Sequence, residues 1–269
     1  MKQPPAVRLA WLAIIILAIL IGIMVVRPDA ITVPSDILWG SGGILLFMIL
    51  SYASGKIDAI GAITGGFIAT GMYFGGGFAG LSMLLAFFVI GSFASHWKKK
   101  EKAALGLEQE LGGRRSFRHA FANGGAAATC GFAAYLFPEQ QWLFLAALAA
   151  SMATVIGDTL SSELGNLYGR RYLDLKSMQP GKRGLDGVIS LEGSLIGLGG
   201  SLLMAGLVYI WNWESSWVVV GLAGLLGNLL DSVLGAFVQR RGWLTNDEVN
   251  FLASLGGAAL GGGLEGFIF

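Results

Sequence analysis

The nonapeptide GDTLSSELG, Gly157 to Gly165, ends a long apolar run with two acidic residues and three hydroxyl residues. A second copy, GNLLDSVLG, lies at Gly227 to Gly235. The copies match at both terminal glycines and at three further aligned pairs: Leu160 with Leu230, Ser162 with Ser232, and Leu164 with Leu234. A chain that brings polar residues twice to the end of an apolar run, with the same spacing, is expected to assemble them at one depth.

Composition identifies the class of protein. Hydrophobic residues make up 54% of the chain and charged residues only 13%, against about 25% charged residues in soluble domains. The mean hydropathy is +0.67, and the 42 glycines are typical of membrane helices that approach one another closely through small residues. We therefore predict an all-α polytopic membrane protein, with residues 1–269 forming a single integral-membrane domain. The single cysteine, Cys130, excludes an intramolecular disulfide and a thiolate metal cluster.

Hydropathy predicts about nine transmembrane helices, each long enough to cross a bilayer of about 30 Å. They are expected near residues 8–26, 36–54, 58–76, 79–97, 117–137, 141–160, 188–210, 216–239 and 249–268. With a cytoplasmic N-terminus, every one of the 18 Lys and Arg residues except Arg27 then falls on the cytoplasmic side. This agreement with the positive-inside rule supports the predicted topology.

Polar residues within or beside membrane helices are candidates for function, because burying them in lipid is costly. Under this topology they gather toward the cytoplasmic half. The two copies of the nonapeptide differ in a useful way: Asp158 aligns with Asn228, and Ser161 aligns with Asp231. Each copy thus supplies one Asp, at a different step. The alternative is a purely structural role, in which these residues only form hydrogen bonds between helices.

The connection from Arg170 to Gly193 has the composition of an anion-binding loop. Its glycines would let backbone amides approach a phosphate, Lys182 and Arg183 supply positive charge, and a helix is predicted to begin just afterwards. The chain has no Walker A loop and no GxGxxG after a strand. Together with the carboxylates of Asp158, Glu163, Asp231 and Glu192, the loop predicts a site for a magnesium nucleotide.

The other long basic connection is KKKEKAALGLEQELGGRR, Lys98 to Arg115. Its leucines allow an amphipathic segment on the membrane surface. The simpler alternative is a solvated loop that carries positive charge on the cytoplasmic side.

Five segments, in this order, resemble the signature segments of the integral-membrane family that includes plant and cyanobacterial phytyl-phosphate kinase and an animal transmembrane relative. They are GRRSFRHAFANGG (Gly113 to Gly125), GDTLSSELG, PGKRGLDGVISLEGSLIG (Pro180 to Gly197), GNLLDSVLGAFVQ (Gly227 to Gln239) and TNDEVNFLAS (Thr245 to Ser254). The resemblance covers residues 56–269, whereas the spans within residues 1–54 lie outside it or at its edge.

The resemblance implies a membrane phosphotransferase that converts phytyl phosphate, or a similar isoprenoid monophosphate, to the diphosphate. The donor would be a nucleoside triphosphate, with CTP as the first expectation and Mg²⁺ as the cofactor. The positions that match the family segments are Asn123, Asp158, Glu163, Gly187, Ser190, Asn228, Asp231 and Asn250.

We assign roles to these residues by their chemistry. Asp158 and Asp231 are expected to bind Mg²⁺, with Glu163 or Glu192 completing or orienting the metal shell. Phosphates are expected to contact Arg118, Lys182 and Arg183, while Asn123, Asn228 and Asn250 bind phosphate oxygens or orient carboxylates. Gly187 and Ser190 belong to the same phosphate-binding set.

The implied partners are an isoprenoid monophosphate lipid, a nucleotide and membrane lipid, without nucleic acid. The site is expected to face the cytoplasm from the cell inner membrane or a thylakoid-type membrane. Two other functions use the same features: a nucleotidyl transferase that makes a CDP-linked lipid, and a secondary transporter, in which internal repeats are common. These residues leave the prenyl chain length, the nucleotide base and the oligomeric state open.

Overall fold

The computed structural model describes residues 35–55, 57–107, 116–213 and 215–268. This part of the chain is mostly helical, so the predicted all-α class is confirmed in its main feature. The helices are α1 (Ser35–Ala53), α2 (Ala59–His96), α3 (Lys99–Ala104), α4 (Phe117–Leu136), α5 (Gln141–Leu160), α6 (Asn166–Tyr168), α7 (Leu191–Ile210), α8 (Trp217–Phe237) and α9 (Asn246–Ile268). The span predicted near residues 8–26 lies outside the described residues.

Five helices in the described ranges are long and apolar enough to cross a membrane. They are Ala59–His96, Pro138–Tyr168, Leu191–Ile210, Trp217–Arg241 and Asn246–Ile268. The ends of the long helices agree with the hydropathy prediction to within about three residues. The count of about nine spans and the cytoplasmic N-terminus stay predictions.

Helix α2 contains a break that the hydropathy prediction had placed between two spans. A straight helix of 38 residues would be about 57 Å long, nearly twice the thickness of the hydrocarbon core. At Gly77 the backbone has φ 57° and ψ −144°, which is not helical, and glycine adopts it without a Cβ penalty. Gly80 lies against the carbonyl of Met72, so the chain reverses direction at this point.

Helix α5 occupies the centre of the bundle. Its residues from Ala146 to Gly157 are all buried, and it contacts α2, α4, α7, α8 and α9. Small residues make this arrangement possible: Gly224 of α8 lies against Ala153, and Gly261 of α9 lies against Ala150. Helices in lipid gain from such close van der Waals contact, because lipid tails are as apolar as their side chains.

The connection between α6 and α7 contains a small antiparallel sheet, which the sequence analysis had treated as a loop. Its strands are β1 (Tyr172–Asp174), β2 (Gln179–Pro180) and β3 (Val188–Ser190), in the order β2-β1-β3. Leu173 lies opposite both Pro180 and Ile189. Strands of two or three residues are too short to produce a readable alternation of polar and apolar residues, which is why the pattern did not reveal them.

An ion pair fastens this sheet to the end of α8. Arg240 donates from Nη1 to Asp174 Oδ1 at 3.0 Å and to Oδ2 at 2.8 Å. These hydrogen bonds, helped by the backbone amide of Lys176, hold the pKa of Asp174 below its usual value. The contact therefore joins the connection that carries Gly187 and Ser190 to the helix that carries Asp231.

The lowered pKa of Asp174 predicts a pH-dependent stability. A carboxyl whose pKa is lower in the folded state stabilises the fold above its unfolded pKa of about 3.9, and this contribution is lost as the pH falls through the folded pKa. In thermal melts of detergent-solubilised protein from pH 7 to pH 3, we expect the wild type to lose more stability than Asp174→Asn. Identical pH profiles would show that the Asp174–Arg240 pair contributes nothing.

The basic segment after α2 folds back onto the bundle in its described part. Helix α3 begins at Lys99, and Lys102 is only 4% exposed. Leu107 then contacts Gly184 of the α6–α7 connection. Residues 108–115, including Leu111 of the predicted amphipathic segment, lie outside the described residues. At Lys102 the segment is therefore buried in the bundle, which fits neither a solvated loop nor a segment on the membrane surface.

Candidate functional site

A cleft of about 910 Å³ opens at one end of the bundle. We call this the cleft end: α5 and α8 finish there, and α4, α7 and α9 begin there. Because the long helices alternate in direction, the chain returns to this end after each pair of spans. Most of the predicted site residues line the cleft, namely Arg118, Asn123, Asp158, Glu163, Gly187, Ser190, Asn228, Asp231 and Asn250.

Asp158 of α5 and Asp231 of α8 form the centre of the cleft. Their carboxyl groups lie close enough to share a hydrogen bond. With its amide nitrogen turned toward α8, Asn250 donates to Asp231 Oδ2 at 3.1 Å and to Asn246 O at 3.2 Å. Two carboxylates at this separation repel each other unless a proton or a cation lies between them. The pair can therefore bind a divalent cation.

The internal repeat explains how the pair arises. Ser161 Oγ donates to Asn228 Oδ1 at 3.2 Å, while Asp158 contacts Asp231. The first polar position of each copy thus contacts the second polar position of the other copy. Such crossed contacts are what a local twofold relation between α5 and α8 would produce. The sequence alignment paired Asp158 with Asn228, whereas in space the aspartates of the two copies meet.

Glu163 lies beside this pair but is held by other groups. It follows α5 in a π-helical turn, Ser161–Gly165, a feature frequent at functional sites. Lys102 Nζ donates to Glu163 Oε2 at 2.5 Å, and Ser95 Oγ donates to Oε1 at 3.0 Å. Glu163 is 7% exposed. Its carboxylate is therefore placed to hold Lys102 more directly than to bind a metal.

The other predicted phosphate ligands separate into two groups. Arg118 and Asn123 line the cleft, and Asn123 Nδ2 donates to His119 O at 2.8 Å. Lys182 and Arg183 are absent from the described cleft lining. Arg183 lies over the ring of Tyr172, 5.3 Å from its centroid, and donates to a backbone carbonyl of the same connection. The geometry thus favours Arg118 over the two loop cations as a phosphate ligand.

The predicted loop residues position the cleft wall. Ser190 caps the N-terminus of α7, where its Oγ accepts from Gly193 N at 3.1 Å. Gly187 has a φ of 68° and lies directly against Ala236 of α8. Glu192 is absent from the described lining, and its Oε2 accepts from Arg170 N at 3.4 Å. Its position therefore offers no support for a role in the metal shell.

Four acidic or basic lining residues did not enter the predicted site: Lys102, His119, Asp186 and Asp247. His119 Nε2 lies 3.7 Å from Asp247 Oδ1 and joins the starts of α4 and α9. Partial burial raises the pKa of Asp186, and Arg240 partly offsets this effect. His119, Asp186 and Asp247 lie within the segments that carried the family resemblance, so a wider reading of those segments would have included them.

The donor chemistry of the cleft fits Mg²⁺ with a phosphorylated ligand. Among the described residues no three His, Cys, Asp or Glu side chains are grouped to hold a metal by themselves. Mg²⁺ usually binds through one or two carboxylates and fills its other positions with water and substrate phosphates. Asp158 and Asp231 supply two such carboxylates in an open cleft. A cation at this pair would therefore have positions left for water and for a phosphate oxygen of a ligand.

Asn250 tests whether the orientation of Asp231 matters. Replacing it with Ala removes the donor to Oδ2 and leaves the carboxylate free to turn. Loss of a group that orients a metal ligand typically costs about 10-fold to 100-fold in metal affinity or activity. We expect Asn250→Ala to raise, by that factor, the Mg²⁺ concentration that gives half-maximal activity. Asn246→Ala, at the start of the same helix, is the matched control, and equal effects in both variants would contradict the assignment.

Comparison with known proteins places the chain among integral membrane proteins. Residues 42–258 match the family described as Integral membrane protein DUF92. An uncharacterized membrane protein of Synechocystis is 35% identical over 194 residues, 70% of this chain and 75% of the relative. A membrane protein of Methanocaldococcus jannaschii, also uncharacterized, is 32% identical over 203 residues, 75% of this chain and 82% of the relative.

A plant relative extends the comparison. Protein VTE6 of Arabidopsis thaliana, a chloroplastic protein, is 34% identical over 186 residues, which cover 65% of this chain and 55% of the plant protein. No solved structure shows significant similarity. The match to the DUF92 model includes all the residues that form the cleft, and the chain belongs to this integral membrane family.

Proposed function

We propose that this protein is a membrane prenyl-phosphate kinase, which transfers a phosphoryl group from a nucleoside triphosphate, CTP first, to phytyl phosphate or a similar isoprenoid monophosphate. The observation that carries the proposal is the Asp158–Asp231 carboxylate pair, with Arg118 in the same open cleft. The resemblance to the family that includes phytyl-phosphate kinase supports the choice of substrate.

The position of the cleft suits a lipid phosphate. The bundle below it is apolar and exposes large hydrophobic side chains on its sides, for example Leu195, Leu202, Leu222 and Leu226. A prenyl monophosphate keeps its tail in hydrocarbon and its phosphate at the membrane surface. A polar cleft at one end of an apolar bundle can therefore receive the phosphate while the tail stays in the lipid. We place this end on the cytoplasmic side of the cell inner membrane or a thylakoid-type membrane, where nucleotides are available.

The proposed reaction needs little covalent chemistry from the protein. An oxygen of the prenyl monophosphate attacks the γ-phosphorus of the triphosphate, a new P–O bond forms, and the bond to the nucleoside diphosphate breaks. The acceptor is already ionised, so no general base is required. Catalysis then rests on positioning and on neutralising charge on the phosphoryl oxygens. Asp158 and Asp231 would hold a Mg²⁺ ion, which would supply positive charge to neutralise part of this negative charge.

Individual residues have defined parts in this proposal. Asp158 and Asp231 would hold Mg²⁺, and Asn250 would orient Asp231. Arg118 would bind phosphate oxygens directly. The two aspartates cannot do so, because carboxylates repel phosphates. Asn228 is 4% exposed and accepts from Ser161, so its role would be to fix the distance between α5 and α8.

A product assay tests the proposal. Purified protein receives Mg²⁺, γ-labelled CTP and either phytyl or geranylgeranyl monophosphate, and the products are separated. We expect labelled prenyl diphosphate together with unlabelled CDP. Release of pyrophosphate and formation of a CDP-linked lipid would instead identify a nucleotidyl transferase. Uptake of a solute into vesicles without chemical change, and with no labelled product, would identify a transporter.

A further inference from the structure

Lys102 is a buried cation at the edge of the cleft, outside the set that sequence reasoning selected. It is 4% exposed, although lysine is almost never fully buried unless it is paired. Helix α3 brings it there by folding back from the end of α2, and Lys102 lines the cleft. The backbone carbonyl of Lys102 also accepts from Leu107 N at 2.9 Å. The backbone of Lys102 is thus tied to the turn that contacts the α6–α7 connection.

The described part of the chain takes up two of the three donors of the ammonium group. A lysine ammonium carries three N–H donors. One is given to Ala94 O at 2.7 Å and a second to Glu163 Oε2 at 2.5 Å. Within the described part of the chain, no further acceptor contacts Nζ. The third donor is therefore available to a ligand in the cleft.

Stability alone gives a weak reason for this arrangement. A buried ion pair recovers little more than the cost of removing two charges from water, and well-packed apolar residues often stabilise a protein as well or better. An anchor for α3 would not need a charge beside the cleft. A phosphate site does need one, because the lining carries four other carboxylates, those of Asp158, Asp186, Asp231 and Asp247.

The placement of Glu163 connects Lys102 to the carboxylate pair. Glu163 follows Asp158 by five residues, and the π-helical turn between them is continuous with α5. Both groups therefore lie on one continuous helical segment. A lysine held by Glu163 and a cation held by Asp158 could contact different oxygens of a single phosphate or diphosphate group. This arrangement places positive charge on two sides of the bound ligand.

We infer that Lys102 is a phosphate-binding residue, positioned by Glu163 and Ala94 O, whose remaining N–H donates to a phosphoryl oxygen of the ligand in the cleft. The inference rests on the proposed function, since it assumes that the cleft receives a phosphorylated molecule. Glu163 is then a positioning residue: it orients Lys102 and also competes with the phosphate for the ammonium group.

Binding measurements with opposite expected directions test the inference. Calorimetric titration of the detergent-solubilised protein with inorganic pyrophosphate, and separately with CTP, is carried out in Mg²⁺. A hydrogen bond to a charged group contributes about 10-fold to 100-fold in affinity, so Lys102→Gln should bind both probes that much more weakly. Lys102→Arg should stay within a few-fold of the wild type. Glu163→Gln should bind at least as tightly, because the amide oxygen of Gln still accepts a hydrogen bond from Lys102 while the charged carboxylate that competes with the phosphate is removed.

The variant Lys102→Gln also removes the ammonium group that pairs with the buried carboxylate of Glu163, so a loss of stability must be separated from a loss of binding. The double variant Lys102→Gln, Glu163→Gln removes both charges. We expect its melting temperature to return toward the wild-type value while its affinity for pyrophosphate stays low. Recovery of both properties would show that Lys102 only anchors α3, and so would equal weakening in Lys102→Gln and Glu163→Gln.

The same titrations separate this inference from the proposed function. If the wild-type protein binds neither pyrophosphate nor CTP nor geranylgeranyl monophosphate, the proposed kinase function is wrong. The phosphate-binding roles assigned to its residues are then wrong as well. Wild-type protein that binds these probes, with unchanged affinity in Lys102→Gln, would overturn the role of Lys102 alone.

Discussion

Asp158→Asn and Asp231→Asn are each expected to reduce the proposed prenyl-phosphate kinase activity more than about 100-fold, beyond the range typical of groups that only orient a metal ligand. Each substitution removes one of the two carboxylates that meet across α5 and α8. Asn keeps the size and the hydrogen-bonding capacity of Asp but has no charge to balance Mg²⁺. The activity assay with labelled CTP measures the loss.

Thermal stability distinguishes this loss from unfolding. Two carboxylates at short range repel each other, so removing one charge should leave the melting temperature unchanged or raise it. A ligand that binds only the folded protein stabilises it, and Mg²⁺ with CTP should therefore stabilise the wild type more than either variant. Full activity in both variants, or an equal effect of Mg²⁺ with CTP on all three proteins, would remove the metal assignment.

Glu192→Gln is the matched control for the loss of one carboxylate. Glu192 lies in the first turn of α7, on the same side of the bundle, but is absent from the described cleft lining. We expect it to keep activity within about twofold, since surface substitutions away from special contacts usually have small effects. A loss as large as that of Asp158→Asn would mean that the metal site extends beyond the cleft described above.

Helix positions and the gathering of polar residues were predictable because they depend on composition and length. A membrane helix needs a continuous apolar run, so the bounds of α5 and α8 follow from hydropathy. Alternation of antiparallel helices then brings Asp158 and Asp231 to one end. The aligned repeat also identified the four residues Asp158, Ser161, Asn228 and Asp231. Which of them contact each other could not be predicted, because this depends on how the two helices pack.

Contacts that depend on the path of a connection were not predictable. Lys102 belongs to a basic segment whose composition fits a solvated loop, and only the fold of α3 against α2 shows its burial. Arg183 belongs to a loop that looked suited to phosphate, and its stacking on Tyr172 depends on a sheet with strands of two or three residues. In both cases short segments are placed by tertiary contacts rather than by their own periodicity.

Gly187→Ala is expected to lower the stability of the fold strongly. Two costs add at this position. Its φ of 68° costs an L-residue about 1–2 kcal/mol, and a Cβ would meet the backbone and side chain of Ala236, where forced overpacking costs about 1–3 kcal/mol. The sum is about 2–5 kcal/mol, seen as a lower melting temperature in detergent.

Two other glycines separate these costs, because all three have a positive φ. At Gly242, φ is 71° and a Cβ would meet no atom within 4 Å, so Gly242→Ala carries the backbone cost alone. At Gly184, φ is 78°, and an added Cβ would lie 2.7 Å from Leu107 Cδ2. That atom is the end of a side chain that can move. We expect the loss of stability to increase from Gly242→Ala through Gly184→Ala to Gly187→Ala.

The loss of activity should increase in the same order, from Gly242→Ala through Gly184→Ala to Gly187→Ala, for a separate reason. Gly187 lies between Asp186 and the strand that ends at Ser190, and both of those residues line the cleft. A Cβ at Gly187 would push this wall away from α8, and with it the start of α7, so the distance between the wall and Asp231 would change. Gly187→Ala should therefore lose activity even at temperatures where it remains folded. If it were as active and as stable as Gly242→Ala, the close contact with Ala236 would not be what sets the position of the cleft wall.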